Sequence, residues 1–441
     1  MPTFSIENFG CRATDADASA MRSALLADGL TPASEHSAAD VVILNTCTVT
    51  AAADSQAREA LRKIHLANPG ARIVVTGCYA QRAPEELAAI EGVEWVVGNS
   101  HQSKIPEILR DAARQPQRIH DFVAVAELAD DPLSLARGPA KILTGDIFAQ
   151  ATIHTAPAES PARDRTRPIL KIQDGCNNRC SYCVIPFVRG RSRSLSPGEV
   201  VREVVNNVDA GAKEIVLSGI NLGSYGRDLD PRAGLAEVVR RILDETPLDR
   251  LRFSSIEPQD VTEEFVALVA SSPRIARHFH IPLQSGSDRI LRAMHRWYRT
   301  AHYAERLQLI RRALPDAGIG ADVIAGFPGE TDQDFRDTLD FIERLPFTYL
   351  HVFSFSERPG TAAAALGERV PAQTIRERAR ALRALSERKS AAFRAAQTGR
   401  SLRALTLARN DGDSTEALTG NYLKMKIPGR HPANEWHEAV L

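Results

Sequence analysis

The chain has 441 residues, with 55 basic and 55 acidic side chains and no formal net charge. This length leads us to expect two to four domains, and the balanced charge rules out partner choice by bulk electrostatics, so a polyanion would have to be met by a local patch. There is no run of about 18 apolar residues, and the opening MPTFSIENFGCRATDADAS has no basic stretch leading into an apolar one, so the expectation is a cytoplasmic chain with no membrane span, no secretory leader and reduced thiols.

The first part alternates apolar β-branched runs with helical patterns. Strands are expected at 4–9, 40–45, 72–76 and 95–97, and helices at 17–28, 50–67 and 83–91. Such alternation predicts a parallel sheet with helices on both faces. We place this α/β domain at 1–115. Residues 116–165, rich in Ala, Pro, Ser and Thr toward the end, read as a linker with a strand or two. From 166 to 397 the alternation resumes. Strands are expected at 169–173, 214–218, 251–255, 278–283, 319–324 and 349–355, with helices at 197–210, 235–244, 262–270, 301–313 and 332–345. Six βα units suggest a partial (βα)6 barrel. A long helix rich in arginine follows at 371–397. The last segment, 398–441, shifts to short strands and turns, a small β-barrel-like module that is short for five strands.

All six cysteines fall into two groups of three. Cys11, Cys47 and Cys78 lie 36 and 31 residues apart, each just past an expected strand. The strands of a parallel sheet end on one edge, so the three converge there. Cys176, Cys180 and Cys183 form C-x-x-x-C-x-x-C in the loop after the first barrel strand, where barrel active sites lie. Three thiolates hold three irons of a four-iron cluster and leave the fourth open. A structural zinc site would want a fourth ligand, and neither a histidine nor another cysteine lies nearby in the sequence.

C-x-x-x-C-x-x-C with Tyr182 before its last cysteine resembles the signature of radical S-adenosylmethionine enzymes. IVLSGINLGSYG, RFSSIEP, HIPLQSGSDRIL, ADVIAGFPGET and HVFSFSERPGTAA resemble the methylthiotransferase branch, as does the amino-terminal trio. The resemblance implies two [4Fe–4S] clusters: an auxiliary one on Cys11, Cys47 and Cys78, and a radical one on Cys176, Cys180 and Cys183. It also implies two molecules of S-adenosylmethionine, one methylating a sulfur and one cleaved to a 5′-deoxyadenosyl radical. Tyr182, Ser218, Gly219, Ser255 and Glu257 are expected around the S-adenosylmethionine pocket. The implied partners are tRNA, a reducing electron donor and a sulfur donor of unknown identity. KIQDGCNNRCSYCVIPFVRGR and LSGINLGSYGRDL look most like the branch that methylthiolates threonylcarbamoyladenosine beside the anticodon. Isopentenyladenosine in tRNA and an aspartate of a ribosomal protein are the other family substrates. A non-catalytic iron–sulfur RNA-binding protein or redox sensor is the reading from another class. The chain departs from the family after Cys11, where CRATD replaces a pattern with asparagine three residues on.

Other features are open at this level. The arginines of 371–397 make either a solvated face or an approach to RNA. Arg189, Arg191 and Arg193 are either site residues or merely exposed. Gly223 and Gly226 fit turns as well as a close backbone approach. Ser255 and Glu257 fit a helix cap as well as a cofactor contact. His278 and His280 read as packed side chains. The carboxy-terminal LTGNYLKMKIPG resembles the family's RNA-binding β module.

Overall fold

The computed structural model describes residues 2–114, 140–153 and 166–441. Most of the expected linker therefore lies outside the described residues. Two compact units emerge. One runs up to Gln150 and includes Phe187–Gly190; the other comprises Ala151–Ile153, residues 166–186 and Arg191–Leu441.

The first unit is built on β1 (Thr3–Asn8), β2 (Thr31–Pro32), β3 (Val41–Thr46), β4 (Arg72–Gly77), β5 (Val93–Gly98) and β6 (Lys141–Leu143). Their order is β2-β1-β3-β4-β5-β6, with every pair parallel. All six residues of β3 are buried, as a central parallel strand covered on both faces requires. Its side chains alternate: Val42 and Leu44 pack with Leu61 and Ile64 of helix Ala51–Ala67, while Val41 and Ile43 pack with Met21 and Leu25 of helix Arg12–Ala27.

Two expected elements differ. The first helix begins at Arg12, not at 17, because buried Thr14 supports its first turn by donating from Oγ1 to the Cys11 carbonyl at 2.7 Å. Where one helix was expected over 83–91 there are two short ones, Cys78–Arg82 and Pro84–Ala88. Pro84 drives Ala83 out of the helical region, to φ −144° and ψ 68°.

In the second unit, β7 (Ile169–Asp174), β9 (Glu214–Gly219) and β10 (Arg250–Phe253) pair in parallel, with the short β8 (Arg193–Ser194) antiparallel to β7. β11 (His278–His280), β12 (Gly318–Ala325) and β13 (Tyr349–Ser354) form a second parallel set. Bridges Leu251–Ile275 and Ser255–His280 join the two sets into a six-stranded arc, an open barrel. β11 is shorter than the expected 278–283 because Pro282 has no N–H for the ladder. Helices cover the outside, and the core fills the gap between: Ile215 and Leu217 of β9, Leu251 and Phe253 of β10, Val323 of β12. The alternate residues, Ser218 and Asp322 among them, face the inside of the arc.

β14 (Ser401–Asp411), β15 (Ser414–Thr419), β16 (Lys424–Pro428) and β17 (Trp436–Val440) form an antiparallel half-barrel sheet of order β16-β15-β14-β17. It is fixed to the amino-terminal rim of the arc. Arg250, the first residue of β10, donates to the Leu418 carbonyl at 3.0 Å, and Arg252 to that of Thr419 at 2.9 Å. Glu214, fully buried at the start of β9, binds the Nε of both arginines, at 2.5 and 2.7 Å.

Candidate functional site

Each unit carries one cysteine trio at the carboxyl ends of its parallel strands. In the first, Cys11 caps helix Arg12–Ala27 in an extended conformation (φ −89°, ψ 177°), Cys47 follows β3 directly and Cys78 follows β4 directly. These strands are sheet neighbours, so three residues scattered in sequence meet on one rim. A Cβ built on Gly10 would lie 2.7 Å from the Cβ of Cys47, so the loop before Cys11 tolerates no side chain there. The loop after Cys47 is tied to the helix carrying Cys78: Arg82 Nε donates to Thr48 Oγ1 at 2.8 Å, and Thr48 donates to Asp54 Oδ1 at 2.7 Å.

Burial pushes the Cys47 thiol up to about 12, with the Cys78 and Cys11 thiolates adding to it. Burial also raises Cys78. Arg189 opposes both shifts. It is buried, belongs to this unit and pairs with Asp17 at 2.7 Å. Asn99 Nδ2 reaches Cys78 Sγ at 3.5 Å and the Val188 carbonyl at 2.8 Å. Buried thiols such as Cys47 and Cys78 need a strongly positive centre before they ionise, which is what an iron cluster supplies.

In the second unit, Cys176, Cys180 and Cys183 occupy the loop after β7. Gln173 anchors its start, with Nε2 donating to the carbonyls of Asp174 (3.0 Å) and Gly175 (2.8 Å) and Oε1 accepting from the Asn221 backbone at 2.8 Å. A Cβ on Gly219 would sit 2.8 Å from that Oε1, so Gly219 makes room for the anchor. Burial and the Cys180 thiolate push Cys183 up to about 12; burial, with Cys180 adding, pushes Cys176 up to about 11. Ser181 fixes the loop from the other side, donating to the Ala293 carbonyl at 2.8 Å and, from its backbone, to that of Met294 at 3.1 Å.

Beside this loop lies a residue for which no sequence motif was identified. Arg296, buried, donates to Cys180 Sγ at 3.3 Å and to Tyr298 Oη at 3.2 Å, and is paired with Glu257. Burial raises the Glu257 carboxyl against the pull of Arg296. Glu257 precedes a 3-10 turn but makes no side-chain cap to it; its carboxylate goes to Arg296 instead. Ser255 lies at the bridge to His280. Tyr182 packs against the Ile290, Met294 and Phe327 cluster. Ser218 is buried on β9. Gln284, nine-tenths buried, takes φ 67° and bridges to Val323. Such a conformation in a non-glycine residue marks sites where geometry is over-determined.

Farther round the arc, His280 Nε2 and His351 Nδ1 lie 2.9 and 3.4 Å from Asp322 Oδ1. Burial works against ionisation of Asp322, but the two histidines hold it far below the usual carboxylate range. His278 sits deeper, stacked on Tyr422 and bonded to Tyr349 Oη at 2.8 Å. Among the described residues, His280, Asp322 and His351 alone bring three ligand atoms within 4.8 Å of one another. Of the other arginines after the loop, Arg193 is buried against Asp174 (3.1 Å) and Arg191 is exposed.

The Radical SAM superfamily model matches residues 170–342, and that of uncharacterized protein family UPF0004 matches residues 3–98. The threonylcarbamoyladenosine tRNA methylthiotransferase MtaB of Aquifex aeolicus (strain VF5) is 35% identical over 423 residues, 96% of this chain and 96% of its own. The tRNA-2-methylthio-N(6)-dimethylallyladenosine synthase of Syntrophobacter fumaroxidans (strain DSM 10017 / MPOB) is 36% identical over 370 residues, 83% of this chain and 76% of its own. Among solved structures, the radical S-adenosylmethionine methyltransferase TsrM of Kitasatospora setae, with cobalamin and a [4Fe-4S] cluster bound, has a TM-score of 0.58 at 16% identity. That match covers 82% of this chain and 77% of TsrM, a likeness of fold.

Proposed function

The chain belongs to the radical S-adenosylmethionine methylthiotransferases that modify tRNA, and from that premise we propose that it converts the C2–H of threonylcarbamoyladenosine beside the anticodon to C2–SCH3. The pair of cysteine trios, each on the carboxyl rim of its own parallel sheet, supports the methylthiotransferase chemistry, and the likeness to the MtaB relative over 96% of both chains supports the choice of substrate. When bound, a four-iron cluster on each trio supplies an open iron, one for reductive cleavage of S-adenosylmethionine and one for holding sulfur.

Residues of the arc have the chemistry to bind S-adenosylmethionine. Arg296 complements the methionine carboxylate and Glu257 the ammonium; the two stand paired with each other before a zwitterion takes both. Asp322, kept ionised by His280 and His351, is an acceptor suited to the ribose hydroxyls. Tyr182, Ser218, Gly219 and Ser255 are assigned to the surroundings of the same cofactor. In the first unit, Arg189 and Asn99 steady the thiolates of Cys47 and Cys78. One S-adenosylmethionine serves as methyl donor to the sulfur and a second as radical source; tRNA, an electron donor and a sulfur donor complete the reaction.

Mass spectrometry of tRNA nucleosides from a deletion strain tests the substrate. Loss of 2-methylthio-threonylcarbamoyladenosine, with its unmethylthiolated precursor retained, is expected. Loss of the isopentenyladenosine derivative instead would assign the chain to the other tRNA branch, and unchanged tRNA would overturn the tRNA reading.

A further inference from the structure

Helix Ala372–Ala395 carries seven basic side chains in two different states. Four are tied to neighbours. Arg378 is buried and paired with Glu330 (2.7 Å) and Asp332 (2.6 Å), and Arg388 pairs with Glu343 at 3.0 Å. Lys389 donates to the carbonyls of Glu343 and Leu345, and Arg394 to that of Lys424. The other three, Arg376, Arg380 and Arg383, are exposed. They follow the i, i+4, i+7 spacing of a single helix stripe, about 10 Å long. They line a groove of about 420 Å³ against Ser354, with Glu387 the one acidic side chain on its wall.

Like charges four residues apart cost a helix a few tenths of a kcal/mol each. Here three of them converge on a concavity, and none of the three forms an ion pair with Glu387 or any other described residue. Ser354 ends β13, so the groove begins at the strand carboxyl ends, the rim that also carries Cys176, Cys180 and Cys183. A string of phosphates meets these demands: it neutralises several arginines in a row and needs no base-specific contact.

We infer that Arg376, Arg380 and Arg383 form a track for the tRNA sugar–phosphate backbone, which orients the anticodon loop toward the barrel rim. This rests on tRNA being the substrate, as proposed above. The half-barrel sheet contributes no part of this track, since it is fixed to the opposite, amino-terminal rim.

The test compares full-length, cluster-reconstituted protein with R376A/R380A/R383A, measuring affinity for unfractionated tRNA from the deletion strain across a salt series. A control variant removes three exposed arginines elsewhere, Arg62, Arg232 and Arg312. Alanine keeps the helix, and circular dichroism with iron content confirms that each variant is folded and loaded. The slope of log affinity against log salt is expected to fall by roughly 2–3 in the stripe variant and to stay near the original in the control. An unchanged slope in the stripe variant, or an equal fall in the control, overturns this inference while leaving the tRNA reading intact. If the unaltered protein does not bind tRNA even at low salt, the tRNA reading fails, and this inference with it.

Discussion

Arg296 concentrates more of the radical site's electrostatics than any single cysteine there, because one guanidinium reaches a cluster thiol, a buried tyrosine and a buried carboxylate. A lysine has one point charge and cannot reproduce that fork. Arg296→Lys should therefore weaken S-adenosylmethionine binding by roughly 10–150-fold, the loss of about 1.5–3 kcal/mol for a charged hydrogen bond. Isothermal titration with the cluster loaded checks this, and unaltered affinity would refute the assignment of Arg296 to the methionine carboxylate. Asp322→Asn keeps shape and removes charge. It should raise the KM for S-adenosylmethionine while leaving the iron content of the protein unchanged, because Asp322 is paired with two histidines rather than with a thiol.

At the level of elements, the half-barrel sheet is held by a buried charge cluster. Burial alone would raise the carboxyl of Glu214, but Arg252, Arg250 and Arg167 reverse that and hold it at about 2. The ordinary value is 4.5, so the folded state binds the proton more weakly than the unfolded chain does. The stabilisation from ionised Glu214 is complete above pH 4.5 and is lost as pH falls through about 2. Glu214→Gln leaves three arginines short of their carboxylate and should cost about 3–5 kcal/mol near neutral pH. The difference from the unaltered protein should shrink as the pH is lowered from 4.5 toward 2. Denaturant titrations at several pH values measure both effects; a gap that stays constant with pH would show that Glu214 is not the ionised centre of the contact.

Across the whole molecule, two compact units each bring their own trio, so the two proposed cluster sites should be separable by mutation. Cys47→Ala should leave about four iron atoms per chain in place of about eight, with the remaining cluster still able to cleave S-adenosylmethionine. Methylthiolation should be abolished. Iron analysis, 5′-deoxyadenosine release and tRNA mass spectrometry on one preparation decide the point. Loss of both activities from a folded chain that retains four irons would contradict separate roles. Among the described residues no helix is long and apolar enough to cross a membrane.

Much of this was legible in the residues alone, because its signals are local. β-Branched runs separated by helical periods specify parallel strands, and a cysteine just past such a strand must lie on the shared rim; C-x-x-x-C-x-x-C needs only its own loop. The start of the first helix was misread because Thr14, Asp15 and Asp17 look like solvent-facing polar residues, whereas Thr14 supports the first turn and Asp17 meets Arg189. Arg296 lay outside every motif, and Gln284 and Asp322 sat in family motifs (HIPLQSGSDRIL and ADVIAGFPGET) without being singled out. Each became meaningful when strand order and register set it among partners dozens of residues away: Arg296 at Glu257, Asp322 between His280 and His351, Gln284 against Val323. The same holds for the basic helix, where sequence shows seven equivalent charges and only packing separates four bound ones from three that line a groove. Sequence by itself determined most of the elements, the two thiol trios and the family; the tertiary structure decided where several elements begin and end, which charges are buried, which are paired and which rim the half-barrel sheet is fixed to. The division follows from range: periodicity and spacing act within a turn or a strand, whereas desolvation and pairing depend on what the rest of the chain brings alongside.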